Sequence, residues 1–130
     1  MEQPQYLIDT NAVIDYLGKK LPEAGMSFMN HIIDAVPNIS VITRIEVLGF
    51  NAPDEHYQTL IDFVDDSAVL GLSTDVADKS IAIRKAQKTK LPDTIIAATA
   101  LVNKLTLISR NKDDFKNIDG LETINPYELK

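Results

Sequence analysis

The amino-acid sequence predicts an α/β fold in which a parallel sheet of about four to five strands is covered on both faces by helices. Two observations support this prediction. Short apolar runs that end in capping or turn residues alternate along the chain with longer segments of helical spacing. One of those longer segments, 91–102, has no charge except Asp93, which is typical of a central, buried helix.

The first half of the chain contains two predicted strands, and each leads into helices. The apolar run 6–8 ends in Asp9-Thr10-Asn11, three residues that favour a helix start. Gly18 and Pro37 mark breaks after the helical patterns. In order, the predicted elements are a strand over 6–8, a helix over 12–17, a helix over 22–36, a strand over 39–42, a helix from its cap Thr43 to Gly49, and a helix over 53–64.

The second half repeats the alternation of strands and helices. Ser73 is a favourable N-cap, and Pro92 suits the first turn of a helix. The carboxyl ends of parallel strands meet at one edge of a sheet, so we expect Asp9 and Asn111 at the same edge. In order, the predicted elements are a strand over 68–72, a helix to about Lys90, a helix over 92–102, a strand over 105–108, a short helical turn with Asp114, and a strand over 121–124.

Composition limits the class of protein. The chain has 130 residues, 45% hydrophobic and 25% charged, which predicts one globular domain over 1–130. It has no cysteine, which excludes disulfides and thiolate metal sites. No apolar run approaches the roughly 20 residues of a membrane span, and nothing before Asp9 resembles a signal peptide. We therefore expect a cytoplasmic protein that does not bind a membrane.

The charge is unevenly distributed. The net charge of −6 argues against a nucleic-acid partner, but residues 79–90 hold five basic residues and no acid. On one continuous helix, Arg84 and Lys88 would share a face with Lys85 beside them and could contact RNA phosphates. A solvated helix face explains the same pattern equally well. The basic residues are Lys79, Arg84, Lys85, Lys88 and Lys90.

Several acids lie in apolar surroundings. On a helix, Asp93 shares a stripe with Ile96 and Ala97, and an unpaired buried charge costs several kcal/mol. Carboxylates that approach one another repel, and a divalent cation removes that conflict. Oxygen ligands without cysteine or histidine suit Mg²⁺ or Mn²⁺, which can promote phosphodiester hydrolysis. The candidate site residues are Asp9, Glu46, Asp93, Asn111 and Asp114.

Ordinary structural roles explain each of these residues singly. Asp9 could cap a helix, Glu46 could pair with Arg44, and Asp114 could cap a surface turn. Spacing alone leaves the structural and functional interpretations even. Five other acids are assigned to solvated helix faces. They are Asp15, Asp54, Asp62, Asp65 and Asp66.

Four blocks together resemble the PIN-domain ribonucleases, and in particular the VapC-like toxins of bacterial toxin–antitoxin pairs. The resemblance implies that Asp9, Glu46 and Asp93 hold Mg²⁺. Asn111 stands where the family often has aspartate, and Asp114 would compensate for it. Thr10 or Ser109 would either bind a ligand or cap a helix. The blocks are 7–17, 42–48, 91–100 and 107–115.

The resemblance implies a Mg²⁺-dependent endoribonuclease whose partners are RNA, an antitoxin and a second copy of the chain. A PIN-like module that binds RNA or protein without cleaving it stays open as an alternative. Two other phosphate-handling folds fit poorly. A receiver domain needs an acidic pair after the first strand, and a haloacid-dehalogenase-type phosphatase needs Asp-x-Asp where this chain has Asp9-Thr10-Asn11.

Overall fold

The computed structural model describes residues 5–130. Within them, five parallel strands form one sheet, and the helices lie on both faces of it. The elements are β1 (Tyr6–Ile8), α1 (Thr10–Leu17), α2 (Glu23–Asp34), β2 (Asn38–Ser40), α3 (Val41–Leu48), α4 (Asp54–Asp65), β3 (Ala68–Leu70), α5 (Thr74–Ala86), α6 (Leu91–Val102), β4 (Thr106–Ile108), α7 (Lys112–Phe115) and β5 (Thr123–Ile124). The strand order is β3-β2-β1-β4-β5, and every pairing is parallel. The predicted fold class is confirmed.

Each face of the sheet carries its own hydrophobic core. Neighbouring side chains of a strand point to opposite faces, so Leu7 and Ile8 of β1 belong to different cores. Leu7 packs with buried residues of α5, α6 and α7, including Phe115. Ile8 packs with buried residues of α1 to α4, including Met29. The central strands are therefore buried on both sides, as expected for a parallel sheet.

Helix α6 is the buried central helix that its composition predicts. All residues from 94 to 100 are buried. Its two buried threonines satisfy their hydroxyls within the helix. Thr94 donates to the carbonyl of Lys90 at 2.8 Å, and Thr99 donates to the carbonyl of Ile95 at 2.7 Å. The helix therefore carries no unsatisfied side-chain polar atom into the core.

The start of α3 differs from the prediction. Strand β2 ends at Ser40, and α3 begins at Val41 rather than after Thr43. The reason is the Ser40 hydroxyl, which accepts from the backbone N–H groups of Ile42 at 3.0 Å and Thr43 at 3.3 Å. Thr43 consequently lies inside the helix, where its side chain is buried.

The predicted helix up to Lys90 is too long. Helix α5 ends at Ala86, and Gln87 is extended, with φ −160° and ψ 165°. Lys88 therefore lies in an extended link between α5 and α6. The prediction that Arg84 and Lys88 share a helix face is wrong. The Arg84 guanidinium instead donates to the carbonyl of Thr89 at 3.3 Å. No helix within residues 5–130 is long and apolar enough to cross a membrane.

Candidate functional site

The site begins where β1 and β4 end side by side. Ile8 pairs with Ile108, so the next residues, Asp9 and Ser109, lie next to each other at the carboxyl edge of the sheet. The backbone N–H of Asp9 still donates to the carbonyl of Ile108, at 2.9 Å. This edge of an open parallel sheet is where such folds place their ligand sites.

A cavity of about 370 Å³ opens at this edge. It brings together Asp9 from the end of β1, Glu46 from α3, Asp93 from α6 and Asn111 from the link after β4. Four of the five predicted site residues therefore meet in one place. The lining residues are Asp9, Thr10, Asn11, Ile14, Asp15, Glu46, Phe50, Asp93, Arg110 and Asn111.

Asp9 is the most constrained carboxylate of the cavity. It is 4% exposed, and both of its oxygens accept hydrogen bonds. Oδ1 accepts from the backbone N–H of Thr10 at 2.8 Å, so Asp9 also serves as the N-cap of α1. Oδ2 accepts from the Ser109 hydroxyl at 2.7 Å and from the Asn11 amide at 3.2 Å. These donors fix the carboxylate in one orientation, and Oδ1, which accepts a single hydrogen bond, keeps a lone pair for a ligand.

Glu46 reaches the cavity from an exposed position on α3. The Thr10 hydroxyl donates to Glu46 Oε1 at 2.6 Å and lies 3.1 Å from the hydroxyl of Thr43. Thr10 therefore joins the first turn of α1 to α3 and holds the Glu46 carboxylate at the cavity. The alternative considered for Glu46, a pairing with Arg44, is absent from the salt bridges of residues 5–130.

Asp93 stands between two cavities. It lines the one that holds Asp9 and also a second, of about 260 Å³, lined by Lys88, Lys90 and Asp114. Its side chain is half-buried, so the prediction of a carboxylate buried against apolar neighbours is wrong. The first turn of α6 lies at the surface, and burial starts at Thr94. Asp114, the fifth predicted site residue, thus lies beside Asp93 and outside the main cavity.

Burial and mutual repulsion raise the pKa of two of these acids. Burial raises the pKa of Asp9 to about 6, against an ordinary value of 3.8. Hydrogen bonds from Ser109 and Thr10 oppose this shift, and the charges of Asp93 and Glu46 add to it. Burial also raises the pKa of Asp93, as do the nearby charges of Asp114 and Glu46, while Lys90 lowers it.

This electrostatic strain predicts an unusual pH dependence of stability. Folded Asp9 keeps its proton to about pH 6, whereas the unfolded chain loses it near pH 3.8, so the folded state binds more protons between these values. Without divalent metal, we expect the contribution of Asp9 to be complete below pH 3.8 and to be lost as the pH rises through about 6. A pKa raised from 3.8 to about 6 corresponds to a loss of folding stability on the order of 3 kcal/mol.

The measurement is urea unfolding in EDTA at about pH 4.5 and about pH 7, for the wild type and for Asp9→Asn. The substitution removes the titrating group, so the variant should gain stability relative to the wild type as the pH rises. Carboxyl groups far from Asp9 titrate equally in both proteins and cancel in the comparison. A constant difference between the two proteins would contradict the assignment of the shift to Asp9.

The donor set suits a hard, strongly hydrated cation. Within residues 5–130, no group of three acidic, histidine or cysteine side chains is close enough to enclose one ion directly. Asp9, Glu46 and Asp93 nevertheless line one cavity, and they supply oxygen ligands only. Mg²⁺ keeps several of its waters and binds proteins through one or two carboxylates, so these residues fit such an ion better than a closed zinc site.

The prediction that Asp15 lies on a solvated helix face is wrong. Asp15 is 6% exposed, and its Oδ2 accepts from Arg110 Nη1 and from the Tyr127 hydroxyl, both at 3.0 Å. In the sequence, only the spacing of two polar residues on one helix face hinted at this arrangement, and it did not identify their partner. Asn11 and Asp15 are four residues apart on α1, and both contact Arg110. Neither Arg110 nor Tyr127 was among the predicted site residues.

The described geometry agrees with a family model. The model of the PIN domain matches residues 6–121 of the chain. The chain belongs to the PIN-domain family. The resemblance stated from the sequence is thereby confirmed at the level of the family, and the matched segment contains every predicted site residue.

Solved structures of toxin–antitoxin systems resemble this PIN domain. A toxin–antitoxin complex from Klebsiella pneumoniae is 34% identical, with a TM-score of 0.74, over 96% of this chain and 100% of the other. DNA-bound VapBC from Salmonella typhimurium has a TM-score of 0.80 at 23% identity, over 95% and 99% of the two chains. VapBC2 from Rickettsia felis, bound to a DNA fragment from its promoter, has a TM-score of 0.76 at 22% identity, over 92% of this chain and 97% of the other. None of the curated proteins searched matches the chain.

Proposed function

We propose that this PIN domain is an endoribonuclease that depends on Mg²⁺ or Mn²⁺ and acts as the toxin of a toxin–antitoxin pair. One observation carries the proposal. Asp9, Glu46 and Asp93 come from segments that are far apart in sequence, and they line one cavity at the carboxyl edge of the sheet. The charges of Asp93 and Glu46 add to the raised pKa of Asp9, and a carboxyl group perturbed in this way inside a cavity is typical of a functional site.

The residues of the cavity have distinct parts in the proposed hydrolysis. When bound, Mg²⁺ polarises a phosphoryl oxygen and makes water easier to ionise. Asp9, fixed by Thr10 and Ser109, gives the site a carboxylate of set orientation. Glu46, held by the Thr10 hydroxyl, and Asp93 complete the oxygen donors. Asn111 adds a neutral amide, and Asp114 adds negative charge beside Asp93.

The test is RNA cleavage by the purified chain with Mg²⁺, with Mn²⁺ and with EDTA. We expect cleavage with either metal and none with EDTA. RNA binding without cleavage in all three conditions would reject the nuclease and favour the alternative, a PIN-like binding module. An identical rate with EDTA would reject the metal dependence alone.

An antitoxin is the proposed regulatory partner. The 34%-identical structure is a toxin–antitoxin complex, which supports this choice. An apolar cavity of about 340 Å³ adjoins the acidic one, and the two share Ile14 and Phe50. Phe50 is 45% exposed, as an anchor for an apolar helix face would be. An arginine or lysine of the partner could then pair with the carboxylates and take the place of the metal.

Co-expression tests this regulation. With the product of an adjacent small gene, where one exists, the chain should form a stable complex without nuclease activity, and excess Mg²⁺ should partly restore cleavage. Thr59→Asp changes an exposed residue that lines the apolar cavity and not the acidic one, so it should weaken the complex while the free chain stays active. A fully active chain that cells tolerate at high levels without a partner would contradict the toxin assignment. The predicted homodimer is tested separately, by sedimentation of the free chain.

The basic residues of 79–90 are proposed as RNA contacts. Arg84, Lys85 and Lys88 are exposed, and Lys88 lines the cavity that Asp93 and Asp114 share. We expect Arg84→Ala combined with Lys88→Ala to weaken RNA binding and to lower the slope of log affinity against log salt by roughly 0.7 per lost phosphate contact. The measurement is fluorescence anisotropy with a labelled oligoribonucleotide over a range of salt concentrations.

The matched control is Lys116→Ala combined with Lys130→Ala. Both residues are exposed, neither lines a described cavity, and the change in net charge is the same. This double variant should keep the wild-type slope. Equal loss of affinity in the two double variants would mean that net charge, and no local contact, governs binding.

A further inference from the structure

Arg110 is a cation in the wall of an acidic cavity. Among the described residues that line the cavity of Asp9, Glu46 and Asp93, it is the one with a positive charge. It directly follows Ser109, whose hydroxyl donates to Asp9. The cation therefore belongs to the same edge of the sheet as the carboxylates.

The backbone of Arg110 is held from both sides. Its N–H donates to Asn11 Oδ1 at 3.1 Å, and its carbonyl accepts from the Asn125 amide at 3.3 Å. Asn11 in turn donates to Asp9 Oδ2, so one side chain links Arg110 to the central carboxylate. These bonds set the position of Arg110 relative to Asp9.

The side chain is anchored by a buried carboxylate. Arg110 Nη1 donates to Asp15 Oδ2 at 3.0 Å, and the Tyr127 hydroxyl donates to the same oxygen at 3.0 Å. The Asp15 side chain is 9% exposed, whereas that of Arg110 is 49% exposed. A guanidinium has five N–H donors, and one carboxylate oxygen occupies only part of them. The pair thus buries its anion, while its half-exposed cation lines the cavity with further donors to offer.

We propose that Arg110 binds a phosphate of the RNA strand next to the bond that is cleaved, and that Asp15 and Tyr127 are positioning residues for it. This inference rests on the proposed nuclease function. The four carboxylates that line the cavity repel a phosphate that enters it. The Arg110 guanidinium in the cavity wall opposes that repulsion, because its buried partner Asp15 occupies only part of its donors. Its planar donors also match two oxygens of one phosphate. Burial of Asp15 is costly alone, and the fixed Arg110 compensates for it.

The experiment compares Arg110→Ala with Lys112→Ala on a labelled oligoribonucleotide. Lys112 lies two residues away, pairs with the exposed Glu128 and does not line the cavity, so its loss changes net charge equally. We expect Arg110→Ala to raise KM about tenfold or more with a much smaller change in kcat, and to lower the salt slope of binding by roughly 0.7. Arg110→Lys should restore part of the affinity. Lys112→Ala should resemble the wild type.

The positioning role of Asp15 is tested by a double-mutant cycle. Asp15→Asn should raise KM less than Arg110→Ala does, and the double variant should be no worse than Arg110→Ala alone. If the two substitutions instead raise KM by factors that multiply in the double variant, Asp15 does not act through Arg110. If the ion pair has only a structural role, its loss should lower the melting temperature and leave KM and the salt slope unchanged. If Arg110→Ala does not fold, Arg110→Lys and Tyr127→Phe take its place in the same measurements.

Failure of the inference and failure of the nuclease proposal give different results. A wild-type chain that cleaves no RNA with Mg²⁺ or Mn²⁺ rejects the nuclease. RNA binding measured in EDTA then still tests whether Arg110 contacts a phosphate, because the salt dependence of binding can be measured without cleavage. A wild type that cleaves RNA, together with an Arg110→Ala variant of wild-type KM and slope, overturns the assignment of Arg110 alone.

Discussion

Asp9→Asn and Asp93→Asn are each expected to reduce Mg²⁺-dependent RNA cleavage by about 100-fold or more while the fold stays intact. Both carboxylates line the cavity of about 370 Å³, and an amide keeps their size but not their charge. A metal ion contributes several kcal/mol of transition-state stabilisation, and each 1.36 kcal/mol is about a factor of ten in rate. Initial rates over a range of Mg²⁺ concentrations measure the loss.

The matched control is Asp65→Asn, which makes the same change on an exposed position near the end of α4. It should cleave at the wild-type rate. Circular dichroism and the melting temperature show whether each variant is folded, and Asp9→Asn should melt no earlier than the wild type in EDTA at neutral pH. Cleavage at the wild-type rate by either active-site variant would remove that residue from the site.

Phe115→Ala is expected to destabilise the protein by roughly 3–5 kcal/mol, the range for loss of a buried phenylalanine. Phe115 is 1% exposed, and it packs in the same core as Leu107 and Ile118. A loss of that size is a large part of the 5–15 kcal/mol that holds a typical domain together. Phe115 ends α7, so its loss also loosens the short helix that carries Asp114.

Urea unfolding at a fixed pH measures this effect, and Phe115→Leu provides the comparison. Leucine keeps the site apolar and fills most of its volume, so it should cost much less than alanine. Equal costs for the two substitutions would mean that the aromatic ring itself, rather than filled volume, stabilises this core. Wild-type stability of Phe115→Ala would contradict the packing of α7 on the sheet.

The candidate site was predictable because its residues follow a local rule. Asp9 directly follows an apolar strand, and Asp93 is the one charge in an apolar segment. Parallel strands bring their carboxyl ends to one edge, so the convergence of Asp9 and Asn111 follows from the alternation of strands and helices. The degree of burial did not follow. Asp93 is half-buried and Asp15 is buried, the reverse of the sequence prediction.

The ends of two helices, the start of α3 and the end of α5, were not predicted correctly, because neighbouring residues offer competing local contacts. Ser40 and Thr43 are both good N-caps, and the hydroxyl of Ser40 takes the role because it reaches two N–H groups. The sequence predicts one helix that continues to about Lys90, but the chain becomes extended at Gln87 before α6 starts. Propensity could not decide either case, because both candidates in each are acceptable locally.

The sequence by itself determined the order of strands and helices, the buried central helix and the edge at which the acids meet, because these depend on periodicity and on the geometry of parallel sheets. Only the tertiary structure decided which polar side chains are paired. The contact of Asp15 with Arg110 joins residues 95 positions apart, and that with Tyr127 joins residues 112 apart. Such pairs are set by how helix α1 and the C-terminal segment pack, and no local pattern encodes that distance.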